Sequence, residues 1–313
     1  MIFRTVLILC VLACGSCTPS RTETVVRPAI SLAPEVVRSD WSFEGNAGVK
    51  FETPYWNIHS TIQIPRIVDA LPNFYSDLLE HYTTAFGEFP YPKRRINVYL
   101  FANELQWQQK LQQMIGDDAK EWFALGRGGL TVDGEGILYY LDSRGRSRVT
   151  LRIAAHEGWH QYAESVFINS LPTWLDEGIG TWMEGFRIRS GTVRFTPLSN
   201  WDRLSTLRKI VSADRLEPLS TLMASDPSEL LATGRTTLLA YYAQVWALTS
   251  FIVEYEHGKY MPALRSILNS GLAGTLRTPR GGWLYAFTSS PAEFEKEYKE
   301  WVADFAKPGS LWR

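Results

Sequence analysis

The sequence predicts an α+β fold: a small mixed sheet with an edge strand, followed by a mainly α-helical part. Three observations predict it. Short strand-like runs bounded by glycine and proline recur up to Leu141. Long apolar stripes at helical spacing dominate after that point. Between the two lies an apolar helical segment that carries His156-Glu157-Gly158-Trp159-His160. The chain has 313 residues, enough for one large domain or two subdomains sharing a cleft. It divides into residues 1–17, a linker over 18–40, an α/β part over 41–165 and a helical part over 166–313.

Residues 1–17 contain one basic residue, Arg4, then an apolar run from Val6 to Ala13, then small residues. This is the pattern of an export signal, and it is too short for a stable transmembrane span. Val11-Leu12-Ala13-Cys14 is similar to the lipobox of bacterial lipoproteins, which makes Cys14 the expected lipidated residue and Cys17 the alternative. The expected location is the bacterial cell envelope, as a membrane-anchored lipoprotein, with a periplasmic or secreted protein as the alternative. Cys10, Cys14 and Cys17 are the only cysteines, so the folded part can form no internal disulfide. Residues 18–40 are rich in Thr, Ser, Pro and charge and read as a tether.

Strands are expected at 49–51 and 55–59. Ile67, Leu71, Phe74, Leu78, Leu79, Tyr82 and Phe86 then fall on one helical stripe, in which Pro72 marks a kink or a restart. Residues 96–101 read as a buried strand, and Asn103-Glu104-Leu105-Gln106 has the form of a capping box opening a helix to about Met114. Residues 129–132 and 137–141, either side of Asp133-Gly134-Glu135-Gly136, read as a hairpin. Arg144, Arg146 and Arg148 follow, read as a solvated basic loop or as a grip on a substrate carboxylate.

On a helix, His156 and His160 leave one face a single turn apart. That spacing lets two imidazole nitrogens reach one Zn²⁺, with Glu157 beside the open position as general base. A catalytic zinc needs a third protein ligand, and Glu177, on a second helix opened by Pro172, is the candidate. The competing reading is a pair of core histidines satisfied by hydrogen bonds. Gly158 is unfavourable inside a helix by about 1 kcal/mol relative to Ala, which close packing against a neighbour would explain. Asp176, Thr181, Glu164 and Glu184 are candidates to bind the second nitrogens of the histidine rings. Glu164 lies a further turn beyond His160, badly placed to share the metal, and Glu184 is the fallback ligand. Trp159, Trp174 and Trp182 are expected to pack the core around these two helices.

The pairing of H-E-x-x-H with Trp174-Leu175-Asp176-Glu177-Gly178 resembles the gluzincin zinc metallopeptidases, the group that contains thermolysin and the aminopeptidase N type. It is most similar to their peptidase MA-like members, from about Phe51 to Phe251 and most strongly over 150–184. The resemblance implies a thermolysin-like catalytic fold. It implies zinc on His156, His160 and Glu177, with Glu157 as the base in peptide-bond hydrolysis. It also implies that a sheet-edge strand lies along the cleft for substrate backbone to pair with, here either 129–132 or 137–141. A tyrosine from a later helix would assist the oxyanion. Tyr242 is the candidate and Tyr241 its neighbour, about 100° away around the helix; two core tyrosines are the competing reading. His257 is the other donor considered, although beside Gly258 it also reads as a helix end. The sequence contains no G-x-M-E-N segment, with which aminopeptidases hold a free amine, so an endopeptidase is expected.

Residues 192–236 read as loop-rich, with helices near 202–211 and 218–224. An apolar, largely buried helix is expected from Thr236 to Glu256, and a last helix opens at Ser290-Pro291-Ala292-Glu293. With 32 basic and 33 acidic residues the net charge is −1, which gives no reason to expect a nucleic-acid partner. The expected partner is a peptide or protein substrate, with membrane contact through the lipid anchor only. Two functional readings follow: a zinc metallopeptidase, or a non-catalytic cell-surface binding or structural lipoprotein that keeps the fold. Glu157 alongside all three ligand candidates favours the first.

Overall fold

Six strands pair into one mixed sheet: β1 (Val37–Phe43), β2 (Asn46–Glu52), β3 (Trp56–Ser60), β4 (Ile96–Phe101), β5 (Gly129–Val132) and β6 (Glu135–Tyr139). Their order is β1-β2-β3-β4-β6-β5. The β3/β4 and β4/β6 pairs are parallel, and the hairpin-linked β1/β2 and β5/β6 pairs are antiparallel, as is β2/β3. The computed structural model describes residues 35–123, 128–141, 148–189, 191–307 and 309. The expected export signal, the three cysteines, the expected tether up to residue 34, and Arg144 and Arg146 lie outside the described residues, as does the Arg148 side chain.

Residues 37–40, expected to belong to a tether, are instead the start of β1. Those residues are solvent-exposed on an edge strand, so their polar composition reads as linker. The turn into β2 uses Glu44 and Gly45, both at positive φ, the backbone of a two-residue hairpin. The β5–β6 turn does the same with Asp133 and Gly134. Glu135 and Gly136, expected in the turn, therefore belong to β6, and β5 is the strand at the sheet edge. Residues 137–141 are not the edge.

Helices α1 (Pro65–Val68) and α2 (Leu71–Thr84) connect β3 to β4. Pro72 falls in the first turn of α2, where its missing N–H is not needed, so the proline marks a restart. Helices α3 (Glu104–Ile115) and α4 (Ala119–Phe123) follow β4. Asn103 caps α3 by accepting the Gln106 N–H at 3.1 Å. The reciprocal half of the box is shifted by one residue: Gln106 Oε1 accepts from the Ala102 N–H at 3.2 Å, one residue before the cap, and from Thr61 Oγ1 at 2.5 Å.

Helices α5 (Arg148–Val166) and α6 (Thr173–Met183) carry the motif, followed by an unexpected hairpin of β7 (Phe186–Arg189) and β8 (Thr192–Phe195). Then come α7 (Trp201–Ser212), α8 (Leu219–Ala224), α9 (Pro227–Thr233), α10 (Arg235–Glu254), α11 (Met261–Leu272) and α12 (Pro291–Phe305). Helix α10 is buried continuously from Tyr241 to Ile252 and packs against α6, α7, α9 and α12. Gly178 permits the α6 contact, since a Cβ there would overlap Thr249 Oγ1. The main core runs from Val49 on β2 to Phe305 on α12, so the α/β and helical parts share one interior. A smaller cluster around Phe101, Trp107 and Ile137 lies under α3 and α4.

Candidate metal centre

The apolar positions of α5 and α6 turn both helices inward, and this brings His156, His160 and Glu177 together. One ligand atom from each lies within 4.8 Å of the others. Glu177 Oε2 is the hub, 3.0 Å from His156 Nε2 and 3.6 Å from His160 Nε2. The opposite ring nitrogens are held from behind. His156 Nδ1 meets Glu184 Oε1 at 3.0 Å, and His160 Nδ1 meets Asp176 Oδ2 at 2.8 Å. These contacts fix both rings with Nε2 facing the shared centre, the orientation a metal requires of its histidines.

Each carboxylate is itself anchored. Asp176 Oδ1 accepts from Trp159 Nε1 at 2.7 Å. Glu184 accepts from Arg203 Nη2 at 2.6 Å, Arg203 Nε at 3.0 Å and Asn200 Nδ2 at 2.8 Å. Burial raises the Glu184 pKa, but the Arg203 guanidinium and the His156 ring outweigh it and hold the carboxyl at about 2. Burial alone would also deprotonate the two rings. Glu177 and Glu184 around His156, and Asp176 and Glu177 around His160, instead favour a positive charge there. The same attraction keeps Glu177 ionised despite its burial. Two imidazole nitrogens and an ionised carboxylate gathered this closely form a group that could hold a metal ion.

A cleft of about 800 Å³ opens onto this centre. Glu157, only 7 % exposed, lines it beside the histidines. Its Oε2 accepts from Thr131 Oγ1 at 2.9 Å, which links it to the edge strand β5. Gly129, Leu130 and Thr131 of β5 form one wall. Among the described lining residues there are five carboxylates, on Glu157, Glu164, Asp176, Glu177 and Asp226, and no lysine or arginine. Tyr242 reaches in from α10 and donates to Glu177 Oε1 at 3.2 Å.

Several expected residues sit elsewhere. Thr181 is not behind a ring; its hydroxyl donates to the Glu177 and Gly178 carbonyls of its own helix. The Tyr241 hydroxyl is buried with no hydrogen-bond partner among the described residues, and it does not line the cleft. His257 is an exposed residue in the 3-10 turn Tyr255–His257 that follows α10, outside the cleft. Glu164 lines the cleft without joining the ligand cluster, and Glu184 stands behind His156. Trp159, Trp174 and Trp182 are core residues, whereas Trp122 lines the cleft. Gly158 packs against the Tyr82 hydroxyl, from which an added Cβ would be 2.7 Å. Thr131, Asn200 and Arg203 carry no recognisable sequence spacing and emerge only from the fold.

The fold and site thus define a mixed α/β protein with an inward-facing His-His-Glu cluster. A family model described as "Protein of unknown function (DUF1570)" matches residues 151–270, a span that contains the cluster together with Glu184, Arg203 and Tyr242. No sequence match is found among curated proteins.

Proposed function

We propose that this protein is a zinc metallopeptidase of the gluzincin type, with a thermolysin-like catalytic fold and internal peptide bonds as its targets. One observation carries the reading: two histidine Nε2 atoms and a glutamate oxygen converge, both rings are fixed from behind by carboxylates, and Glu157 stands beside them in the cleft. The donor set suits zinc. Tetrahedral zinc with bonds of about 2.0–2.1 Å spaces its ligand atoms about 3.3 Å apart. The separations from Glu177 Oε2, 3.0 and 3.6 Å, bracket that value.

His156, His160 and Glu177 would hold the zinc, which when bound supplies Lewis-acid activation of a water and of the substrate carbonyl. Glu157 takes a proton from the attacking water and passes it to the leaving amine. Thr131, by donating to Glu157 Oε2, fixes the carboxylate and leaves Oε1 for the proton. The Tyr242 hydroxyl swings its donation from Glu177 Oε1 to the developing oxyanion. The outer edge of β5, which pairs with no other strand among the described residues, pairs with an extended substrate backbone. Export and anchoring through Cys14 belong to the same reading.

Zinc content after dialysis, for wild type and Glu177→Ala, tests the metal site. About one zinc per chain, lost in the variant, is expected. Glu157→Gln should keep the zinc and lose about 10²–10⁴-fold of peptide hydrolysis. A folded wild type that takes up no zinc, or unchanged hydrolysis in Glu157→Gln, would sink the proposal. Zinc uptake without hydrolysis of any peptide would favour a binding lipoprotein.

A further inference from the structure

Arg203 uses one guanidinium in two directions. Its N–H edge holds both oxygens of Glu184, and Glu184 holds His156 Nδ1. Its carbon lies 5.1 Å from the centroid of the Tyr242 ring, within cation–π range. Tyr242 in turn donates to Glu177 Oε1, and Glu177 Oε2 faces His156 Nε2 at 3.0 Å. The contacts close into a ring: His156, Glu184, Arg203, Tyr242, Glu177 and back to His156. The ring joins α5, α6, α7 and α10, with Glu184 immediately after α6.

We infer that Arg203 is a positioning residue that sets Tyr242 and His156 as one unit around Glu177. It rests on the zinc-peptidase reading for what the unit serves, and on the contacts alone for its existence. The chemistry requires arginine in particular. A lysine could neutralise Glu184, but it has neither the two-pronged edge that spans a carboxylate nor the flat face that lies along a tyrosine. Arg203 does not line the cleft, so it touches no substrate and acts only through its neighbours. Asn200 also donates to Glu184 Oε2 and to the Thr181 carbonyl, so Arg203→Lys loosens Glu184 without releasing it. The Tyr242 ring lies against the guanidinium itself, and its environment is therefore the direct readout.

The first measurement is ¹⁹F NMR of protein labelled with 3-fluorotyrosine, with the Tyr242 resonance identified by its loss in Tyr242→Phe. Arg203→Lys should move or broaden that resonance, with or without zinc. Glu184→Gln, at a residue that grips Arg203, should also move it. The second measurement is the zinc dissociation constant, by competition with a chromophoric chelator. Arg203→Lys should weaken zinc about 10-fold, at the low end for residues that orient metal ligands. Tyr242→Phe added to Arg203→Lys should weaken it by no more than about 2-fold further, because the two residues act as one unit. An unmoved Tyr242 resonance in both Arg203→Lys and Glu184→Gln overturns the inference. So do zinc losses in the double variant that equal the product of the single losses, since Arg203 would then act through Glu184 alone. A Tyr242 resonance that moves in Arg203→Lys, in a protein whose wild type binds no zinc, would leave this unit standing and defeat the zinc-peptidase reading. Normal zinc binding with an unmoved resonance would do the reverse.

Discussion

Replacing Gly158 with Ala tests how tightly the motif helix is seated. In an isolated helix the change should stabilise by about 1 kcal/mol. In this protein the new methyl would lie 2.7 Å from the Tyr82 hydroxyl, which is fully buried and donates to the Ala155 carbonyl at 2.7 Å. Either α5 or the tyrosine must move. Forced overpacking costs about 1–3 kcal/mol, and displacing the hydroxyl from its acceptor adds about 1 kcal/mol. The net expectation is a loss of about 1–3 kcal/mol after the propensity gain. Tyr82→Phe alone should cost about 1 kcal/mol for the lost hydrogen bond. It also removes the obstruction: the next nearest atom, Tyr82 Cζ, is 3.5 Å from the added Cβ, an ordinary contact. Introduced together with Tyr82→Phe, Gly158→Ala should therefore change sign and stabilise by up to about 1 kcal/mol. Urea unfolding of the four proteins of the cycle, followed by tryptophan fluorescence, reads these values directly. Because Gly158 lies between His156 and His160, zinc affinity should fall in Gly158→Ala and recover in the double variant. Stabilisation by Gly158→Ala in both backgrounds would refute the packing argument.

Asp176→Asn should leave the fold intact and weaken zinc about 10–100-fold, because it disturbs the group that orients His160; unchanged chelator competition would contradict this. Thr131→Val removes the hydroxyl that donates to Glu157 Oε2, and kcat on a peptide substrate should fall about 10-fold with zinc content unchanged. His81 stacks on Phe195 and Trp182, and burial lowers its pKa from the ordinary 6.5 to about 4. The unfolded chain therefore takes up this proton first, and stability falls as pH drops from 6.5 towards 4. The His81 share is about 2 kcal/mol at pH 5, at most. Wild type should lose more stability than His81→Phe between pH 7 and pH 5 in urea unfolding; equal losses would remove His81 as the cause. His59, lowered to about 4 by burial and by the Lys50 charge, acts in the same direction and supplies part of the loss that remains in that variant.

Local sequence information reached as far as local forces do. The i, i+4 spacing of His156 and His160 follows from helical geometry, and Pro172-Thr173 with the Trp174-to-Gly178 segment marked the second helix, so the three ligand candidates were legible in the sequence. The strand at Ile96–Phe101, the restart at Pro72 and the long buried helix α10 were legible for the same reason: each is a periodic apolar pattern with terminal signals nearby. Edge strand β1 was not, because an exposed strand need not be apolar, and neither was the β7–β8 hairpin, whose strands are four residues each. The supports of the centre depend on tertiary structure. Which strand is the edge follows from the order of strands across the whole sheet. That Tyr242 rather than Tyr241 faces the cleft, and that Thr131 and Arg203 belong to the centre, is set by contacts between residues 19 to 65 positions apart. A periodic pattern states which face of an element turns inward. Only the packing of α5, α6, α7 and α10 around one interior decides which side chains meet there.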